Sequence, residues 1–146
     1  MTVHLHLCES FDAAPRRVWA DIEHLETHAE WMADAEELRF LGTQRAGVGT
    51  RLENTTHVGP FHTKDVLRVT EWEPDASMAI EHVGAVVGTG RFTLTAEASG
   101  TRFCWDEVLR FPWWLGGVIG ERVAKPLLLR IWRKNLRTLK ARVERN

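Results

Sequence analysis

The chain has 146 residues, with 19 Lys and Arg against 20 Asp and Glu, and 44% of it is hydrophobic. That length suits a single domain, residues 1–146, able to bury about two-thirds of the surface that its unfolded chain exposes. A charged fraction of 27% with no dominant residue type excludes a disordered chain. The longest charge-free runs, Phe111 to Gly120 for example, are about ten residues, far short of the roughly 20 apolar residues of a spanning helix, which excludes a transmembrane segment.

Residues Met1 to Glu9 alternate instead of forming an apolar block behind basic residues, so the expectation is no signal peptide and a cytoplasmic protein. Val3, Leu5, Leu7 and Phe11 alternate with His4, His6, Cys8 and Ser10, the period of a half-buried strand. Pro15 suits the first turn of a helix, where its missing N–H costs nothing. Val18, Trp19 and Ile22 give that helix one apolar face. A second short helix follows, with Leu25, His28 and Met32 on one side and Trp31 beside them. Neither is long enough to stand alone in water, so both must pack on something larger.

The middle of the chain reads as antiparallel strands separated by turn signals. They are Glu37 to Gln44, closed by Gly47 and Gly49; Thr50 to Val58, turned by Gly59-Pro60; Phe61 to Trp72, ended by Glu73-Pro74-Asp75; and Met78 to Val83. A glycine-spaced connection through Gly84, Gly88 and Gly90 leads to a last hairpin, Arg91 to Glu97 and Thr101 to Phe111, around Ser99-Gly100. In the final segment Leu128, Ile131, Trp132, Asn135, Leu136, Leu139 and Val143 recur at spacings of three and four, a helix with one buried stripe. Pro126 either starts this helix or kinks a longer one beginning near Gly117. One strand, two short helices, six strands and a long helix make an α+β chain. A curved antiparallel sheet whose concave side is covered by the terminal helix buries every apolar face.

Charge is unevenly placed. Glu9 to Glu37 carries a net −7 and Glu121 to Asn146 a net +7. Two solvated faces lying near each other account for this. A basic helix acting on nucleic acid has no accompanying motif, so no nucleic-acid partner is expected. Cys-x-x-Cys and His-Glu-x-x-His are absent, and the pairs His4/His6 and His24/His28 have no obvious third ligand. No metal site is therefore expected, and those histidines are read as facing solvent.

Five segments, taken in order, carry a resemblance. They are Ala13-Ala14-Pro15-Arg16-Arg17-Val18-Trp19, Glu30-Trp31-Met32, Gly47-Val48-Gly49-Thr50, Val69-Thr70-Glu71-Trp72-Glu73-Pro74, and Gly100-Thr101-Arg102-Phe103-Cys104-Trp105. Together they resemble the SRPBCC superfamily, nearest its polyketide cyclase/dehydrase-like branch of the START and birch-pollen-allergen fold. The resemblance implies a helix-grip fold, in which a seven-stranded sheet grips the C-terminal helix around an apolar cavity. It implies no obligatory cofactor and no invariant catalytic triad. In that fold Cys8 and Cys104 sit on neighbouring strands with outer-face parity, and in a cytoplasmic protein they are expected as reduced thiols.

Strand alternation nominates the cavity lining. Phe103, Trp105, Glu107, Leu109 and Phe111 share the inner face of the last strand; Met78, Ile80 and His82 face in from another, and Phe92 and Leu94 from a third. Asp65 and Glu71 fall on the face of Phe61–Trp72 that is more apolar at its far end and are read as inward. For Thr50–Val58, Arg51, Glu53, Thr55 and His57 oppose Leu52, Asn54, Thr56 and Val58, and the choice between the faces stays open. Trp31, Trp105, Trp113, Trp114 and Trp132 frame the pocket or its entrance, while Trp19 and Trp72 read as ordinary core.

The expected function is binding of a hydrophobic small molecule (a lipid, isoprenoid or polyketide) by Trp31, Met78, Ile80, Phe92, Phe103, Trp105, Trp113 and Trp132. The alternative is a polyketide aromatase/cyclase or dehydratase with Glu107 and His82 as its acid/base pair. An interaction surface, the basic helix or the Trp113–Trp114 pair touching a membrane, is a third reading. A homodimer is compatible with all three.

Overall fold

A computed structural model describes residues 2–112 and 117–145. Its elements run β1 (Thr2–Phe11), α1 (Pro15–Ile22), a 3₁₀ turn (Leu25–Glu30), β2 (Ala35–Leu41), β3 (Arg51–Val58), β4 (Phe61–Glu73), β5 (Ser77–Val83), β6 (Val87–Glu97), β7 (Gly100–Arg110) and α2 (Gly117–Arg145). All seven strands form one antiparallel sheet in the order β1-β7-β6-β5-β4-β3-β2. The chain thus starts at one edge of the sheet, crosses to the other through α1 and the 3₁₀ turn, and meanders back to pair its last strand with its first. This is the curved sheet with a long terminal helix that the hydrophobic pattern calls for, the helix-grip arrangement. No helix among the described residues is long and apolar enough to cross a membrane.

The core lies between the sheet and the helices. In β1, Val3, Leu5, Leu7 and Phe11 are buried while His4 and His6 are exposed, as the alternation requires. Phe11 stacks on Phe103 of β7 at 5.3 Å, and Phe103 meets Phe92 of β6 at 5.1 Å. Helix α2 packs along β1 and buries Leu128, Trp132, Leu136, Leu139 and Val143. Pro126 lies inside this helix instead of starting it. Asn135 occupies the buried stripe for a reason that spacing does not show. Its Oδ1 accepts from the Ala33 N–H at 2.9 Å and its Nδ2 donates to Asp34 at 2.8 Å, fastening the chain between the 3₁₀ turn and β2 onto the helix.

The two oppositely charged segments are neighbours. Arg142 of α2 binds Asp21 of α1 at 3.0 Å and Glu30 at 3.3 Å, and Arg17 donates to the Val143 carbonyl.

Four expectations are corrected. The glycine-spaced connection is not a loop: β6 begins at Val87, and Gly88 and Gly90 pair with Leu109 and Glu107 of β7. The register of β4 with β5 shifts between Val69 and Glu71, so Thr70 is an extra residue and the strand's parity inverts there. Glu71 consequently points outward, where it receives the Arg91 guanidinium at 3.0 Å. Cys8 and Cys104 are joined as a disulfide, not held as free thiols. They stand directly opposite each other in the β1–β7 register with Cα atoms 4.1 Å apart, the short spacing of a directly facing antiparallel pair. Finally, His28 does not face solvent. It is buried against Trp31 and Phe92, and its Nε2–H donates to the Ile22 carbonyl at 2.7 Å. Desolvation outweighs that hydrogen bond and lowers its pKa to about 4.

Candidate functional site

The concave face of the sheet and the helix stripe do not meet along their whole length. Between them lies a cavity of about 630 Å³, within the range of small-molecule sites. Its walls are Met78 and Ile80 of β5, Phe92 of β6, Trp105 of β7, and Leu128 and Trp132 of α2. The indoles of Trp105 and Trp132 stack at 5.0 Å with their planes 14° apart, joining sheet to helix. Val123 and Leu127, also on α2, reach the cavity while exposed to solvent, an apolar rim where it opens.

Of the residues nominated from sequence, Met78, Ile80, His82, Phe92, Trp105, Glu107 and Trp132 line this space together. Trp31 and Phe103 do not: each is buried in the core, Trp31 against Phe92 and Trp105, and Phe103 against Phe11 and Phe92. Trp113 and Trp114 lie outside the described residues. The undecided strand turns Leu52, Asn54, Thr56 and Val58 inward. Sequence reasoning missed His28, which is hydrogen-bonded to the Ile22 carbonyl, and Asp34, which is placed by Asn135 from another element. The signal for β3 was available only through register, since Leu52 pairs with Leu67 of β4.

Two polar stations interrupt the apolar wall. In the first, His82 Nε2 lies 3.1 Å from Glu107 Oε2, and the Trp105 indole N–H donates to Glu107 Oε1 at 3.1 Å. Glu107 is only 5% exposed. Trp105 is the preceding inward position on β7, and His82 reaches the carboxylate from β5, across β6, where Gly90 stands opposite Glu107. Burial pulls the His82 imidazole toward neutrality, but the hydrogen bond and charge of Glu107, helped by Asp65 and Asp34, win and raise its pKa. His82 is thereby biased toward the imidazolium. The second station is Asp65, whose Oδ2 accepts from the Thr63 hydroxyl at 3.0 Å. Its Oδ1 is buried and finds no hydrogen-bond partner among the described residues; the same holds for Asn54 Oδ1.

Glycines make room for both carboxyl groups. A Cβ on Gly90, directly across from Glu107, would come within 2.6 Å of Glu107 Oε1, and one on Gly84 within 2.2 Å of Asp65 Oδ1. Gly90→Ala should therefore push Glu107 off His82 and let desolvation dominate, so the His82 pKa falls toward or below its ordinary value. An NMR titration of the imidazole nitrogens reads this directly, and an unchanged His82 curve in the variant would contradict the pairing.

The arrangement can hold a molecule that is apolar along most of its length. It offers a donor to a ligand oxygen at His82 and an acceptor at Asp65. Clusters with metal-ligand character occur elsewhere, on exposed or half-exposed positions: His6 with Cys8 and Cys104, and Glu36 with His57 and His62.

The profile of the family described as "Polyketide cyclase / dehydrase and lipid transport" matches residues 4–144. Among solved structures, the fold is similar to TTHA0849 from Thermus thermophilus, with a TM-score of 0.84 at 17% identity, covering 97% of each chain. It is similar to the Zhui aromatase/cyclase from Streptomyces sp. R1128, with a TM-score of 0.76 at 16% identity over 99% of this chain and 95% of that one. It is also similar to Ara h 8.0201, with a TM-score of 0.67 at 10% identity over all of both chains. At these identities the likeness is one of fold. No curated protein matches the sequence.

Proposed function

The chain belongs to the polyketide cyclase/dehydrase and lipid transport family, and from that premise we propose that it binds a hydrophobic small molecule between sheet and helix. The observation that carries this reading is the cavity itself, about 630 Å³ walled chiefly by apolar side chains. A ligand of lipid, isoprenoid or polyketide type would lie against Met78, Ile80, Phe92 and the Trp105–Trp132 stack. Burial of its hydrocarbon supplies the affinity, at roughly 25 cal/mol per Å² before the costs of association. An oxygen on the ligand would take a hydrogen bond from the ring nitrogen that His82 does not turn to Glu107.

Native mass spectrometry of the purified protein should show a bound small molecule, and a neutral apolar fluorophore should compete for its place. Ile80→Trp, which puts an indole into the cavity, should weaken fluorophore binding about tenfold or more, or about 1.4 kcal/mol, with the fold intact by circular dichroism. A protein that binds neither, or a variant that binds as tightly as the parent, overturns the reading.

One observation favours a second reading, polyketide aromatase/cyclase or dehydratase chemistry: His82 and Glu107 are 3.1 Å apart in the cavity wall. An imidazolium there would protonate the oxygen of a bound polyketone, and a carboxylate freed from it would take the adjacent C–H proton, the two steps of enolisation. Glu107→Gln should then abolish turnover of a poly-β-ketone substrate while leaving fluorophore binding within about threefold. Equal rates for parent and variant would dismiss catalysis by this pair.

A further inference from the structure

We propose that the outer face of β1 and β7 carries a redox-gated zinc site, in which His6, Cys8 and Cys104 ligate the ion once the disulfide is reduced. Two neighbouring pairs in the strand register, His6 with Asp106 and Cys8 with Cys104, put these side chains side by side. Alternation turns all four away from the cavity, toward solvent. The ligating atoms, His6 Nε2 and both Sγ, lie within 4.8 Å of one another, and Nε2 is 3.5 Å from the Cys8 sulfur. In a tetrahedral site with ordinary zinc–sulfur and zinc–nitrogen bonds, ligand atoms stand about 3.5–3.8 Å apart, so small side-chain rotations convert one geometry into the other.

Asp106 completes the argument. It accepts the His6 Nδ1–H, which leaves a lone pair on Nε2 facing the sulfur, the tautomer that a metal requires. Two thiolates and an imidazole are a soft donor set that suits zinc. The His6 side chain is 65% exposed, so the fourth position is open to water. The ligands hang from paired strands, not from a loop, so their spacing is set by the β1–β7 ladder.

The chemistry balances with a dithiol reductant. The Cys8–Cys104 bond accepts two electrons and two protons from it, and the reductant leaves as its own disulfide. Zinc then displaces both thiol protons to solvent and bonds the two thiolates and His6 Nε2. A covalent tie between first and last strands is thus exchanged for a metal tie across the same two positions. The site lies outside the cavity, so the inference stands apart from the function proposed there.

The test uses the full chain, reduced with a phosphine and titrated with cobalt(II), then with zinc in competition. The expected result is one tightly bound equivalent showing thiolate-to-cobalt charge transfer and the intense visible bands of tetrahedral cobalt. Cys8→Ser should lose the charge-transfer band, and Asp106→Asn should weaken zinc about 10–100-fold while leaving that band in place. The oxidised protein should show neither. Absence of the band in the reduced parent, or its persistence in Cys8→Ser/Cys104→Ser, overturns the proposal. So does binding that is equal in oxidised and reduced protein and is lost on His57→Ala/His62→Ala, since the metal would then sit on the Glu36 cluster.

Discussion

Phe103→Ala should destabilise the protein by about 3–5 kcal/mol, whereas Ile80→Ala should cost about 2 kcal/mol, the low end for its type. Both residues belong to the inward set that alternation nominates as cavity lining, yet they stand in different surroundings. Phe103 is 0% exposed and is covered by Phe11 and Phe92. Truncation there opens a void that rigid neighbours cannot fill. Ile80 already borders the cavity, so it has fewer packed neighbours to lose, and its removal enlarges a space that exists. A fold of this size is stable by about 5–15 kcal/mol in total, so the Phe103 variant gives up roughly a fifth or more of that. Urea unfolding of the two variants separates the cases. Equal losses would return Phe103 to the cavity wall.

The second large effect is in pH. Acidification from neutrality to about pH 4 should remove about 3 kcal/mol through His28 alone. The unfolded imidazole takes its proton near 6.5, but the buried one, held neutral at the Ile22 carbonyl, waits until about 4. Stability from this group is complete above 6.5 and drains away as the pH falls toward 4, because the unfolded chain binds the proton first. At 1.36 kcal/mol per unit, the gap gives the figure. His82 acts in the opposite direction. Its folded pKa is raised, so its contribution is complete below 6.5 and is lost as the pH climbs through the folded value. His28→Gln, which keeps a donor for the Ile22 carbonyl, should flatten the acid limb of a urea-midpoint profile. His82→Gln should flatten the limb above neutrality. An acid limb as steep in His28→Gln as in the parent would show that other groups carry it.

Much of the site was legible because a strand's period is short and robust. Alternation along Met78–His82 and Phe103–Leu109 put Met78, Ile80, His82, Trp105 and Glu107 on one face, and register then brought His82 and Glu107 within hydrogen-bond distance. Alternation failed where the backbone breaks step. One extra residue, Thr70, reverses the faces of β4 and sends Glu71 out to Arg91. It also failed where composition misleads. Gly88 and Gly90 resemble a turn, but they are strand residues kept small by the close approach of β7 and Glu107. In β3 both faces are polar enough that only its pairing with β4 reveals which one looks inward.

The amino-acid order alone determined the element types, the α+β class, the helix stripe and most inward positions, because each follows from the spacing of neighbours a few residues apart. The tertiary structure alone decided the Cys8–Cys104 bond, the burial of His28, the Asn135 clasp on Asp34, and the division of inward aromatics into Phe103 in the core and Phe92 on the wall. Those depend on which distant segments meet, and local periodicity carries no information about that.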